Sequence, residues 1–356
     1  MSEVKKMMKP TEMSKYLDKF IIGQTEAKKT LSTAIYNHYK KINALDNCKD
    51  QVLDKSNILL AGNTGCGKTM LVKTIAKKLG VPCYIGNATS ITESGYVGDD
   101  VESLIVGLLK DCDYDIQKAQ NGIIFIDEID KIAKKGAGVS ITRDVSGEGV
   151  QQGLLKMVEG CVVGVPPFGG RKHPEQPLLY VDTTNILFII SGAFPGIEEI
   201  IRHRLGGSKI GFNVESTDVL NEKNLVEFAM PQDFKKFGFI PEFIGRFPVI
   251  TYVNDLTIDD LKRILTEPEN SIIKQYQFLF SLDDCELIFE DDALLEIAEY
   301  AHSLKVGARG LRSIMETIMI DFMFTIPSSE AKQIIITKDI VLEKLEKKFK
   351  MLKIAS

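Results

Sequence analysis

The spacing of apolar residues changes several times along the chain, and each change marks an element. Residues 11 to 42 follow a short charged lead and read as a helical region. Asn57 to Ala61, the run NILLA, is compact and apolar and ends in a Gly-rich turn, as a buried parallel strand does. After Lys68 the spacing becomes helical: Leu71, Ile75, Ala76 and Leu79 share one face, and Gly80 supplies a stop. Apolar runs at Ile123–Ile126 and Ile186–Ile190 predict two further strands, with helical stretches between. That order predicts an α/β fold in which helices flank a parallel sheet. Beyond Pro248 the pattern turns mainly helical. Thr257 is placed to cap a helix reaching Leu265, with Asp259 and Asp260 in its first turn. Two more helices are predicted near 291–303 and 308–324, then a short strand near Ile334–Ile336 and a charged terminal helix. The resulting expectation is a lead over 1–15, a large α/β domain over 16–252 and a smaller, mainly helical domain over 253–356.

Composition narrows the class. The 356 residues are 44% hydrophobic and 26% charged, as in globular proteins, which excludes disorder, collagen and coiled coil for the whole chain. Lys and Arg number 44 against 49 Asp and Glu, so the formal charge is −5, which speaks against a dedicated nucleic-acid binder. No apolar run approaches the ~18 residues that span a bilayer, and no membrane partner is expected. The first twenty residues lack an apolar core, contain Glu3, Glu12 and Asp18, and have no Arg, which disfavours secretory and transit signals. The six cysteines form no CxxC pair, which suits reduced thiols and offers no zinc site. Bacterial cytoplasm is the expected compartment, with an organelle matrix as the alternative.

Two local motifs carry chemistry. The run Gly62-Asn63-Thr64-Gly65-Cys66-Gly67-Lys68-Thr69, continuing into Met70, matches G-x-x-x-x-G-K-[ST] between an apolar strand and a helix. Glycines let backbone N–H groups turn in around phosphate oxygens, and the helix start adds a positive dipole end. Lys68 can reach the β- and γ-phosphates, and the Thr69 hydroxyl can ligate Mg²⁺. In the second motif, Asp127 and Glu128 follow the strand Ile123–Ile126, at the end where α/β sheets bind ligands. Asp127 is placed to hold the water shell of Mg²⁺, and Glu128 to polarise a water for attack on the γ-phosphate.

With the turn Gly95-Tyr96-Val97-Gly98 and the triplet Gly307-Ala308-Arg309, these motifs resemble a ring-forming AAA+ ATPase. Longer strings narrow the resemblance to the ClpX family of unfoldases: GYVGDDVE (95–102), CDYDIQKAQNGIIFIDEIDKI (112–132), SITRDVSGEGVQQGLLKMVEG (140–160), GGRKHPEQ (169–176) and IPEFIGRFPV (240–249). The resemblance runs from about residue 15 to about residue 340. It implies an ATPase with ATP and Mg²⁺ as cofactors, a homohexamer, a ClpP-type peptidase partner, and unfolded or tagged proteins as substrates.

By the same resemblance, Ile21 and Ile22 flank the adenine, and Arg246 is an arginine finger that reaches a neighbouring subunit's γ-phosphate. Arg309 is then sensor II, reading the nucleotide of its own subunit, and Ser191 is a candidate for sensor I. Tyr96 and Val97 form a pore loop that grips substrate; a tyrosine between glycines also suits an exposed grip better than a core. Arg171, Lys172 and His173 line the pore entrance, where positive charge attracts substrate tails. Ile210, Gly211 and Phe212 form the loop that docks into peptidase clefts, although the tripeptide alone reads as a core strand. Residues 134–144 fall at a second pore loop and depart from the family in Lys134 to Gly138. The family's four-cysteine zinc domain is not expected here, because no cysteine precedes Cys48. The competing reading is an ATP-dependent nucleic-acid motor or clamp loader, which the acidic balance and the pore-type strings disfavour. The HslU type needs a large insertion between Asp127 and Ile186, where only about sixty residues lie.

Overall fold

Why the apolar runs become strands is clear from their burial in the computed structural model, which describes residues 7–45, 55–92, 100–134, 147–166, 177–206 and 224–354. Strands β1 (Ile58–Ala61), β3 (Ile123–Asp127) and β6 (Leu187–Gly192) are covered on both faces, so every position except the terminal Asp127 is apolar or small. Two half-exposed strands, β2 (Cys83–Asn87) and β7 (Val249–Tyr252), complete a parallel sheet of order β2-β3-β6-β1-β7. A hairpin of β4 (Val162–Val165) and β5 (Leu179–Asp182) stands apart from this sheet. No helix of the described residues is long and apolar enough to cross a membrane.

The parallel register decides what meets at the edge. Asn87 lies opposite Asp127, Ile126 opposite Ile190, and Leu60 opposite Ser191. Three polar side chains therefore end neighbouring strands on nearly one rung, beside the loop that leaves β1.

The chain divides into two units. The first comprises Met1–Ser14, Thr25–Asn63 and Lys68–Val253; the second comprises Lys15–Gln24, Thr64–Gly67 and Asn254–Ser356. In the first, helices such as Lys68–Leu79 and Ser103–Asp111 bury Leu71, Ile75, Leu104 and Leu108 completely or nearly so. An aromatic ladder of Phe194, Phe234, Phe237, Phe239, Phe243 and Phe247, with ring centroids 5.0–6.2 Å apart, fastens its later helices together. Burying each such ring is worth roughly 1.5–3 kcal/mol, which is why short helices such as Pro241–Gly245 persist.

The second unit has its own core around Leu265, Ala298, Leu311, Met315 and Ile336. Thr257 caps helix Ile258–Thr266 in a capping box: its hydroxyl accepts from Asp260 N, and the Asp260 carboxylate accepts from Thr257 N, each at 3.1 Å.

Three differences from the sequence expectations have physical causes. Residues 11 to 42 are two helices, Pro10–Asp18 and Thr25–Leu45, because Gly23 and Gln24 take φ of +63° and +57°, which a right-handed helix cannot continue. Helix Ile272–Ser281 was not expected: its Phe278 and Leu279 are exposed, so its apolar residues do not trace one face. Strand β8 (Glu286–Phe289) was also missed; it pairs in parallel with β9 (Gln333–Ile336), a partner 47 residues away.

One buried ion pair fastens helix Ile197–Gly206 to helix Pro231–Phe237. Arg204, near the end of helix Ile197–Gly206, donates from Nε and Nη2 to the Asp233 carboxylate at 2.9 and 3.0 Å. Its Nη2 also reaches the Phe228 carbonyl at 2.6 Å. Asp233 is fully buried. Arg204→Ala strands that carboxylate without its cation and is expected to cost roughly 3–5 kcal/mol of the first unit's stability. A urea titration checks this; a midpoint matching that of the unsubstituted protein would show that the pair contributes nothing.

Candidate functional site

Strand β1 runs straight into the Gly-rich loop. Gly62, Gly65 and Gly67 take φ of +140°, +86° and +94°, a region that side-chain-bearing residues rarely enter. Gly62 is doubly constrained, since a Cβ there would lie 2.4 Å from Val253 Cγ2. Its N–H donates to the Gly192 carbonyl at 3.1 Å, which ties the loop to the end of β6. Helix Lys68–Leu79 begins at once, so the loop is backed by a helix N-terminus. Lys68 is buried along its stem, and its ammonium group donates to the carbonyls of Gly62 and Asn63 at 2.7 and 2.9 Å. Cys66 is buried, while Met70 is exposed on the first helical turn.

Asp127 is the centre of the polar cluster. Its Oδ2 accepts from Thr69 Oγ1 at 3.1 Å, and its Oδ1 accepts from Ser191 Oγ at 2.5 Å and from Glu128 N at 3.0 Å. Ser191 is fully buried, so its hydroxyl has this carboxylate as its natural partner. Glu128 takes φ +56° and ψ +34° as the chain leaves β3. A non-glycine residue in the left-handed region costs free energy and is held there by its surroundings.

Asn87 was not singled out in the sequence. Its Nδ2 donates to Glu128 Oε2 at 3.2 Å, while its Oδ1 accepts from Thr89 N and Thr89 Oγ1 at 3.0 and 2.9 Å. The two Thr89 donors fix the amide so that its NH₂ faces the glutamate. The signal that could have found it is register, because it ends the strand beside Asp127. Asp130 braces the same edge: it is buried and accepts from Ala193 N at 3.2 Å.

The first unit thus gathers Lys68, Thr69, Asp127, Glu128, Ser191 and Asn87 at the C-terminal ends of four adjacent strands. This is a cationic head, a hydroxyl–carboxylate pair and a positioned carboxylate, the set that phosphoryl chemistry requires. Arg246 lies elsewhere in that unit and is paired with Glu159, with Nη2 to Oε1 at 2.6 Å.

In the second unit Ile21 and Ile22 are buried. Gln24 accepts from Asn254 N at 2.7 Å and donates to Asn254 O at 2.8 Å. Ala308 N donates to Gly65 O at 3.1 Å, and exposed Arg309 is the third residue of helix Gly307–Thr325. Tyr96, Val97, Arg171, Lys172, His173, Ile210, Gly211 and Phe212, with residues 135–144 of the second pore-loop segment, lie outside the described residues.

Comparison with known proteins finds likenesses over most of the chain. Residues 53–250 match the family model described as AAA domain (Cdc48 subfamily), and residues 256–349 match the C-terminal, D2-small domain of ClpB protein. The chain is 54% identical over 345 residues to the ATP-dependent Clp protease ATP-binding subunit ClpX of Bacteroides thetaiotaomicron, covering 97% of this chain and 83% of that protein. It is 53% identical to the ClpX of Treponema denticola over 336 residues, covering 93% and 81%. It is 50% identical to the ClpX of Porphyromonas gingivalis over 331 residues, covering 93% and 80%.

Two substitutions separate binding from chemistry at this edge. Glu128→Gln is expected to bind ATP normally but to hydrolyse it at least ~100-fold more slowly, since only the basic carboxylate is lost. Lys68→Ala is expected to lose nucleotide affinity itself. Nucleotide titration and phosphate release check both, and near-normal turnover by Glu128→Gln would remove that residue from the role of base.

Proposed function

The chain belongs to the ClpX family of AAA+ ATPases, and from that premise we propose that it unfolds proteins by ATP hydrolysis and passes them to a ClpP-type peptidase. The observation that carries the reading is the alignment of Lys68, Thr69, Asp127 and Glu128 at one sheet edge, with Ser191 and Asn87 holding the two carboxylates.

In this reading, loop residues 62–67 and the start of helix Lys68–Leu79 receive the phosphates, and Lys68 leaves its loop carbonyls for phosphate oxygens. Thr69 and Asp127 offer a hydroxyl and a carboxylate 3.1 Å apart, an all-oxygen pair suited to Mg²⁺, which would neutralise phosphate charge during transfer. Glu128 takes the proton of the attacking water, oriented through Asn87. Arg246 serves a neighbouring subunit's nucleotide, and Arg309 senses that of its own subunit. Ile21 and Ile22 contribute the apolar side of the base site.

Because the Arg246 of one copy serves the site of the next, the copies associate head to tail, and a closed ring, which we take to be a homohexamer, gives every site its arginine. Tyr96 and Val97 grip the translocating chain, Arg171, Lys172 and His173 attract it, and Ile210, Gly211 and Phe212 dock the peptidase. Bacterial cytoplasm fits relatives that are bacterial proteins. The nucleic-acid motor is disfavoured by the net charge of −5.

Degradation of a tagged, folded reporter with and without added ClpP tests the reading as a whole. ATPase activity stimulated by DNA and not by unfolded protein would overturn it. Phe212→Ala is expected to abolish or sharply reduce degradation while ATP hydrolysis and unfolding persist, because several weak loop contacts act together in a ring. Tyr96→Ala is expected to keep peptidase docking and lose unfolding. Collapse of the ATPase in Phe212→Ala would instead mark that residue as core.

A further inference from the structure

Arg246 is fixed at three levels. Its backbone leaves helix Pro241–Gly245 between Phe243 and Phe247, both fully buried rungs of the aromatic ladder with centroids 5.0 Å apart. Its carbonyl accepts from Asn57 Nδ2 at 3.0 Å. Asn57 is itself buried, and its Oδ1 accepts from Phe188 N at 3.2 Å, so one amide locks β1, β6 and this arginine together. The third level is the side chain. Nε and Nη2 both donate to a single oxygen, Glu159 Oε1, at 3.0 and 2.6 Å.

Stability does not explain this last contact. The two side chains are 54% and 39% exposed, and ion pairs that wet contribute little to folding. Glu159 is also the last residue of helix Glu148–Glu159, where the dipole disfavours an anion. Its position is nevertheless set firmly: Gly160 turns the chain at φ +104°, and the Thr183 hydroxyl, which donates to Met157 O at 2.8 Å, accepts from Cys161 N at 3.0 Å. The contact is thus free to serve something other than folding. A guanidinium has five N–H donors, and Glu159 uses only its Nε–Nη2 edge. The Nη1 edge has no hydrogen-bond partner among the described residues.

We propose that Glu159 is a positioning residue for Arg246: it holds one edge of the guanidinium so that the other edge stays presented to the phosphates of a nucleotide bound by the adjacent copy. The long side chain is thereby ordered before the nucleotide arrives, which is how preorganised charge speeds phosphoryl transfer. The proposal rests on the reading of Arg246 as the residue that serves a neighbour's site.

Its signature is action in trans. Glu159→Ala is expected to lower ATP turnover about tenfold while each subunit's own affinity for a fluorescent ATP analogue stays unchanged. Glu159→Gln, whose amide oxygen still accepts, is expected to fall in between, and it serves as the test if the alanine variant folds poorly. Arg246→Ala is expected to lose more, and the double variant to be no worse than Arg246→Ala alone. Mixing Glu159→Ala with Glu128→Gln subunits is expected to raise turnover above that of either alone, since some interfaces then combine an intact Glu128 with an intact Glu159–Arg246 pair. A merely structural Glu159 gives losses that add to those of Arg246→Ala, weaken nucleotide affinity and resist rescue by mixing; any of these overturns the proposal. An impaired Arg246→Ala beside unimpaired Glu159→Ala and Glu159→Gln overturns this proposal alone. An Arg246→Ala enzyme with full turnover overturns the reading of Arg246, and the proposal with it.

Discussion

The carboxylate of Asp127 accepts from the Thr69 hydroxyl, the Ser191 hydroxyl and the Glu128 amide, so it is bound to the first turn of helix Lys68–Leu79, to β6 and to the turn after β3. Those donors come together only because the central strands run parallel in one register. A shift of one residue in β3 would turn Asp127 into the apolar layer and Ile126 toward the loop. The register is protected by close packing: Ile124, Phe125, Phe188 and Ile190 are fully buried, and a one-residue slip would set each against neighbours of a different shape. The chemistry at the sheet edge thus depends on packing well below it.

Strain at Glu128 belongs to the same constraint. If the residue continued as strand, its side chain would pass to the other face of the sheet, away from Asn87. The left-handed turn instead brings its Oε2 to Asn87 Nδ2, and the surrounding bonds hold the turn. Such a conformation is the kind of local cost that proteins retain where a side chain must aim in one direction.

How legible this was from the sequence depends on where each signal is stored. NILLA and IIFID declare themselves because strands covered on both faces read as unbroken apolar runs. The loop between Gly62 and Lys68 is legible because its glycines and lysine answer a local demand of phosphate binding. Strands β2 and β7 lie at the sheet edges, half-exposed and four or five residues long, and have no such run. Asn87 was invisible for another reason: its importance comes from a neighbour forty residues on, which only register reveals. Arg246 was reached through family resemblance, and the sequence held no hint of its partner Glu159, 87 residues earlier.

The pair of Arg204 and Asp233 has a consequence for how this lineage can change. It fastens helix Ile197–Gly206 to helix Pro231–Phe237, and its carboxylate is fully buried. Losing the cation alone strands a buried carboxylate, and losing the carboxylate alone leaves the guanidinium with only the Phe228 carbonyl. The two positions are therefore expected to change together or not at all, since either single change passes through a destabilised intermediate.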